Sequence, residues 1–298
     1  MKNLSMKKIM KKEQGFTLLE LLVVITLLAI LSVGALVAYD GVGDNAQATA
    51  AANNTAGADR SIRTYRAIEL KYPSQWDNLV AKDGTTPVFL AANTTAAFGK
   101  VTLPAGAFTT AVASRLEAVG ITDIQTRLAA PKTGVIDPNL QHNEGAVGAD
   151  VVEEAVTALT NISVMPAFTT AACTVGGAAI SRLDGAALSA ADSARLNIIN
   201  DSLEGDECHF VVAVGFGHDA AHSTAASSVA VSTAPTYVSK DINPAKNYAR
   251  YVALFHMGTE DATAGDVTLA DLKAKPTLIA VVDTEGKVID ESIAKMNP

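Results

Sequence analysis

The stretch KKIMKKEQGFTLLELLVVITLLAIL, residues 7–31, decides how this chain is read. Four lysines, Lys7, Lys8, Lys11 and Lys12, precede Gly15 and Phe16, and an apolar run broken only by Glu20 then extends to Tyr39. These 24 residues would span roughly 36 Å as a helix rising about 1.5 Å per residue, enough to cross a bilayer core. The run is a membrane segment. A cleaved secretory signal has an apolar core of about 7–15 residues. This one is too long, although Ala35 and Ala38 imitate a small-residue cleavage site.

Two readings remain: a permanent anchor, or a segment that anchors first and later forms the core of a filament. The anchor fits the length but leaves Glu20 unexplained. A carboxylate near the bilayer centre costs on the order of 2.5–3.5 kcal/mol, so such a residue carries function by default. Glu20 lies four positions beyond Phe16, about one helical turn, on the side of the chain end that a cut after Gly15 would create. The new α-amine and the carboxylate would form a charge pair that neighbouring helices can repeat.

The segment GFTLLELLVVITLLAIL with its basic leader resembles the N-terminal signature of type IV pilins and of the pseudopilins of type II secretion systems. The resemblance covers about residues 7–39 and rests on leader charge, the Gly-Phe junction, the acid spacing and the apolar length. It implies removal of the leader by a membrane-embedded aspartyl prepilin peptidase, which also methylates the new terminus. Gly15 is then the last leader residue, Phe16 the methylated N-terminus, and Glu20 the acid that neutralises the amine of an adjacent subunit. The implied partners are copies of itself or other pilins and pseudopilins, the prepilin peptidase and an inner-membrane assembly platform. Many family members carry a helix-bending proline where this chain has Val37. Gly34, Gly41 and Gly43 would loosen the helix instead, each costing about 1 kcal/mol relative to alanine.

Cleavage after Gly15 would remove five lysines and one acid, taking the net charge from −8 to −12. That acidity argues against nucleic-acid binding, which needs clustered Lys and Arg. The basic leader beside the apolar run obeys the positive-inside rule, placing the leader in the cytoplasm and the body outside; the resemblance implies a single-pass protein of the bacterial inner membrane. There a disulfide persists, and Cys173 and Cys208 are candidates for one. Two buried free thiols are the alternative.

The expected organisation is a leader at 1–15, a membrane or filament-core helix at 16–39, an exposed continuation at 40–70 and a head at 71–298. Ile62, Tyr65 and Ile68 or Glu69 fall at helical spacing in the continuation, and Pro73 marks its end. YPSQWDNLV reads as a turn and a short helix, with Trp76 a core anchor. Residues 106–119 and 148–160 carry helical patterning, Ser189 is a candidate N-cap for a helix to about Asn200, and the Ala/Thr-rich patch 91–97 reads as a surface loop. Strands are expected at 209–215, 228–233, 248–256, 277–283 and 287–290, with Thr284, Glu285 and Gly286 turning the last pair into a hairpin. The fold class is α+β, a long N-terminal helix laid against an antiparallel sheet.

His218 and His222 at i and i+4 have zinc-ligand spacing, but the residue after the first histidine is Asp219 and the surroundings are loop-like, so a solvated loop is the simpler reading. Asp201, Glu204, Asp206 and Glu207 form an acidic loop that calcium could occupy, without the spacing or central glycine of an EF-hand. Gly215-Phe216-Gly217 is a loose match to a dinucleotide fingerprint, more simply a strand entering a tight turn. His142, His209 and His256 are isolated, structural or exposed. The leading expectation is a filament subunit rather than an enzyme. The alternative is an exported enzyme or binding module that uses the segment only as an anchor.

Overall fold

The helix begun in the apolar run continues well beyond it: α1 covers Leu18–Glu69 without interruption. The computed structural model describes residues 16–87, 90–127, 151–166, 173–188, 199, 203, 207–216, 237, 239, 241–243, 247–261 and 265–294. The chain forms two compact units, Met1–Ala46 and Gln47–Pro298. In the first, every side chain from Phe16 to Val37 is exposed. In the second, Ala51, Thr55, Ala58, Ile62 and Tyr65 are buried. Their alternating spacing of four and three places them on one stripe, whose small residues let the head approach the helix backbone. Ile68 lies off that stripe and is exposed, while Glu69 is half-buried.

The head is built on a mixed, mostly antiparallel sheet of nine strands among the described residues. Its centre is β9, Cys208–Gly215, buried at every position. β10, Val252–Glu260, pairs antiparallel along its whole length from Gly215↔Val252 to Cys208↔Glu260. β12, Leu272–Val282, pairs in turn with β10. The other edge of β9 is shared between two strands. β1, Trp76–Ala81, takes its C-terminal end at Asp77↔Gly215 and Asn78↔Val214, and β5, Asn161–Val164, takes Val212. β1 leads on to a parallel partner, β3, Asp123–Arg127, and then to β4, Val151–Ala155. β5 leads on to β2, Gly99–Thr102, and β8, Ser181–Arg182.

Where β1 and β5 diverge, a buried polar knot replaces ladder bonds. Asn78 Oδ1 accepts from the amides of Ser163 (3.0 Å) and Val80 (3.3 Å), while its Nδ2 donates to Asn161 O at 2.8 Å. The Ser163 hydroxyl donates to Ala213 O and accepts from Leu79 N. Backbone groups left unpaired by the fork are thereby satisfied, as burial demands.

A smaller sheet joins β6, Thr174–Val175, to β7, Ala178–Ala179, and to β11, Asp266–Val267. Asp266 reinforces it by accepting from Thr174 Oγ1 (2.8 Å) and Gly177 N (2.7 Å). Cys173, beside β6, is disulfide-bonded to Cys208 at the start of β9, with Cα atoms 5.8 Å apart. An aromatic cluster fills the core. Trp76 meets Phe216 and Phe255 at centroid distances of 5.5 and 5.6 Å, and Tyr72 meets Phe255 edge-on at 4.9 Å.

The architecture is α+β, as expected, and α3, Ala107–Glu117, lies where helical patterning placed it. Four local expectations are corrected. WDNLVA is strand β1 rather than a short helix, because both its faces are covered and no alternation remains to be read. Residues 151–158 form β4 and a 3-10 turn, Val156–Ala158, instead of one helix, since pairing with β3 along five residues outweighs local preference. The 91–97 patch holds a short helix, α2, Ala92–Ala97, with Thr94 and Leu90 buried. After Thr284–Gly286 the chain does turn, but the second arm is helix α4, Ile289–Ala294, which starts with Glu291 accepting from Val288 N at 3.0 Å. The expected helix from Ser189 and strand 228–233 lie outside the described residues, apart from Ile199, which is helical.

Candidate functional site

The apolar segment Leu18–Val37 is long and apolar enough to cross a membrane, none of it is buried in the protein, and Glu20 is its one charged residue. Phe16 is 82% exposed immediately before the helix. Gly15 and the leader lie outside the described residues. Thr17 opens the helix. Its amide and hydroxyl both donate to Glu20 Oε2, at 2.9 and 3.0 Å, and its Oγ1 accepts from Glu20 N at 3.3 Å. This is a reciprocal capping box, in which the third helical residue satisfies the amide of the cap and the cap satisfies the amide of the third residue. The T-x-x-E pattern before an apolar run is its sequence signal, so Thr17 is legible beside Glu20 in the sequence itself. Two further polar side chains in the segment bond to their own helix: Thr26 Oγ1 donates to Val23 O and Ser32 Oγ to Leu28 O.

In the head, His142, His218, His222, Asp201, Glu204 and Asp206 lie outside the described residues. Among the described residues no group of three or more His, Cys, Asp or Glu side chains could hold a metal ion. Glu207 lies 3.7 Å from His209 Nε2. The two described histidines are not isolated, which corrects the sequence expectation. Antiparallel pairing of β9 with β10 brings the rings of His209 and His256 edge to face, 5.4 Å apart. Thr259 Oγ1 sits 3.0 Å from His209 Nδ1 and 2.8 Å from His256 Nε2, and Lys273 Nζ on β12 lies 2.8 Å from His256 Nδ1. Burial, then the charge of Lys273 and the neighbouring His209, bring His256 down to about 4. It is neutral at pH 7, and its Nδ1 can accept a hydrogen bond from the Lys273 ammonium.

Gly215 also has a different reason from the turn first assigned to it. A Cβ there would fall on the Tyr248 hydroxyl, which donates to buried Asp77 at 2.8 Å. The glycine makes room for that contact.

A second polar group surrounds the turn after β12. Asp283 Oδ1 accepts from the amides of Glu285 and Lys287. Burial pushes Asp283 up to about 6. Burial acts on Glu285 in the same direction, but Lys287, Asn93 and Tyr237 bond to its carboxylate and hold it below the ordinary range. These contacts lock the turn against α2.

No curated protein and no solved structure matches the chain. Residues 10–36 match the prokaryotic N-terminal methylation motif, so the chain carries the prepilin-type cleavage and methylation segment of type IV pilins and pseudopilins.

Proposed function

We propose that this protein is a structural subunit, a pilin or pseudopilin, of a type IV pilus-like or type II secretion filament. Prepilin peptidase cuts between Gly15 and Phe16 and methylates Phe16. The chain stands in the bacterial inner membrane as a single-pass protein, and the assembly platform draws it out into the filament. The observation that carries this reading is a single carboxylate, Glu20, at the start of a fully exposed apolar helix inside the methylation motif. In the filament that helix exchanges lipid for the helices of other subunits, and Glu20 neutralises the Phe16 amine of a neighbour. The pair sets axial register more than total stability, because replacing a buried ion pair by apolar groups need not destabilise. A subunit confined to the tip has no neighbour ahead to supply an amine, so Glu20 favours a body or minor position.

Mass spectrometry of the native N-terminus tests the processing: methylated Phe16 is expected, and an intact Met1 defeats the reading. Glu20→Ala is expected to be cleaved normally and to enter filaments poorly; assembly at the wild-type level would remove the role given to the acid.

A further inference from the structure

The Glu285 carboxylate holds an amine on one oxygen and a carboxamide on the other. Lys287 Nζ donates to Oε2 at 2.6 Å, and Asn93 Nδ2, from 192 positions before the glutamate, donates to Oε1 at 2.7 Å. The same Nδ2 also donates to Asp241 Oδ2 at 3.2 Å. With a carboxylate as each partner, the amide nitrogen of Asn93 and not its carbonyl oxygen has to face them. Backbone bonds fix the lysine: its amide donates to Asp283 Oδ1 at 2.9 Å and its carbonyl accepts from Asp283 N at 3.0 Å. The Glu285 side chain is 4% exposed, and buried Tyr237 donates to its Oε2 at 2.8 Å.

An ion pair needs no carboxamide on its far side. A lysine amine, an asparagine carboxamide and a carboxylate that touches both are the two reactants of an amide transfer and its proton carrier. At rest the pair is charged. Burial narrows the gap to the neutral amine and acid, which differ from it by one proton moved between Nζ and Oε2. We propose that Lys287 and Asn93 join in an intramolecular isopeptide bond, with Glu285 carrying the protons. Glu285 takes a proton from the Lys287 ammonium, and the freed lone pair forms the Nζ–Cγ bond while the carbonyl π pair moves to Oδ1. The acid then protonates Nδ2, the carbonyl re-forms and the Cγ–Nδ2 bond breaks. A second proton passes from Nζ over Glu285 to the departing ammonia. Of the three ammonium protons one stays on the new amide and two leave on ammonium, so Glu285 ends as the carboxylate it began. Asp241 favours the cation that the leaving nitrogen becomes. Holding both reactants on one carboxylate supplies the proximity that free amine and amide lack. The bond ties α2 to the turn after β12, and unlike the hydrogen bonds there it does not open under load.

The test is the intact mass of the full chain, purified in detergent, for wild type, Lys287→Arg and Glu285→Gln. Wild type is expected to be lighter than its disulfide-bonded sequence by one ammonia, and its digest to contain a branched peptide joining Asn93 to Lys287. Lys287→Arg keeps the ion pair but has no nucleophilic amine, so its mass is expected to be full. Glu285→Gln is expected to form the bond about a hundredfold more slowly, the scale of a lost general acid and base. The Cys173–Cys208 bridge, read in the same digests, marks the folded samples. A full mass in wild type that carries this bridge overturns the proposal. So does an ammonia loss that persists in Lys287→Arg and joins no peptides, which is a succinimide at Asn93. Linkage at the wild-type rate in Glu285→Gln overturns the part given to the carboxylate.

Discussion

Leu70 ends α1 in the left-handed region, at φ 59, with its amide donating to Arg66 O at 2.9 Å and its side chain 87% exposed. Glycine is the usual occupant of such a helix end, since a Cβ there costs roughly 1–2 kcal/mol. Leu70→Gly removes that cost and gives up almost no burial, while glycine's greater freedom in the unfolded chain returns part of the gain. The full chain in detergent should gain about 0.5–1 kcal/mol, a rise in Tm of roughly 2 °C. A lowered Tm would mean that the exposed leucine is held by contacts absent from the single subunit. Thr17 and Glu20 belong to the same scale. Their box spans four residues, Thr17 to Glu20, so it forms in any chain that begins a helix there.

Elements of the head depend on partners far along the chain. Strand β1 is held between β3 and β9, and its fork from β5 is closed by Asn78 and Ser163, which lie 85 residues apart. Asn78→Ala would strip the Ser163 amide and the Asn161 carbonyl of their buried partners, at a cost of about 3 kcal/mol. Denaturant unfolding of the full chain should show that loss, and a change under 1 kcal/mol would mean that the strands close over the gap. The strands found from sequence, β9, β10 and β12, each carry an apolar run, FVVAV, VALF and LIAVV, which is buried throughout in β9 and half covered on the edge strand β12. β1 and β4 escaped notice because their strand character comes from cross-strand pairing, which no local window contains. The same holds for α2: Ala92–Ala97 has no side-chain cap and is helical against the buried residues beneath it. Pairing also joined His209 to His256, which are 47 positions apart in the chain.

For the molecule as a whole, two buried groups set opposite pH dependences. His256 titrates near 4 in the folded state and near 6.5 when unfolded. Between those values the unfolded chain binds more protons, so this group's stabilisation is complete above pH 6.5 and is lost as pH falls toward 4. Asp283 titrates near 6 when folded against 3.8 unfolded. Here the folded chain binds more protons, so acidification from 6 toward 3.8 adds stability. From pH 7 to 4.5 each contribution is about 2 kcal/mol and they nearly cancel. Asp283→Asn should therefore lose about 2 kcal/mol over that interval, and His256→Phe should gain about as much. Equal pH slopes for both variants and wild type, in denaturant titrations at the two pH values, would exclude the opposition.

The membrane segment, its acid and its methylation motif were settled by the order of residues alone, because hydropathy, helical spacing and a capping box act within a few positions of the chain. The fork of β1 and β5 on β9, the neutral histidine beside Lys273 and the upward shift of buried Asp283 were settled only by tertiary structure. Each depends on burial and on partners tens to hundreds of residues distant, and burial is a property of the folded surroundings rather than of the residue.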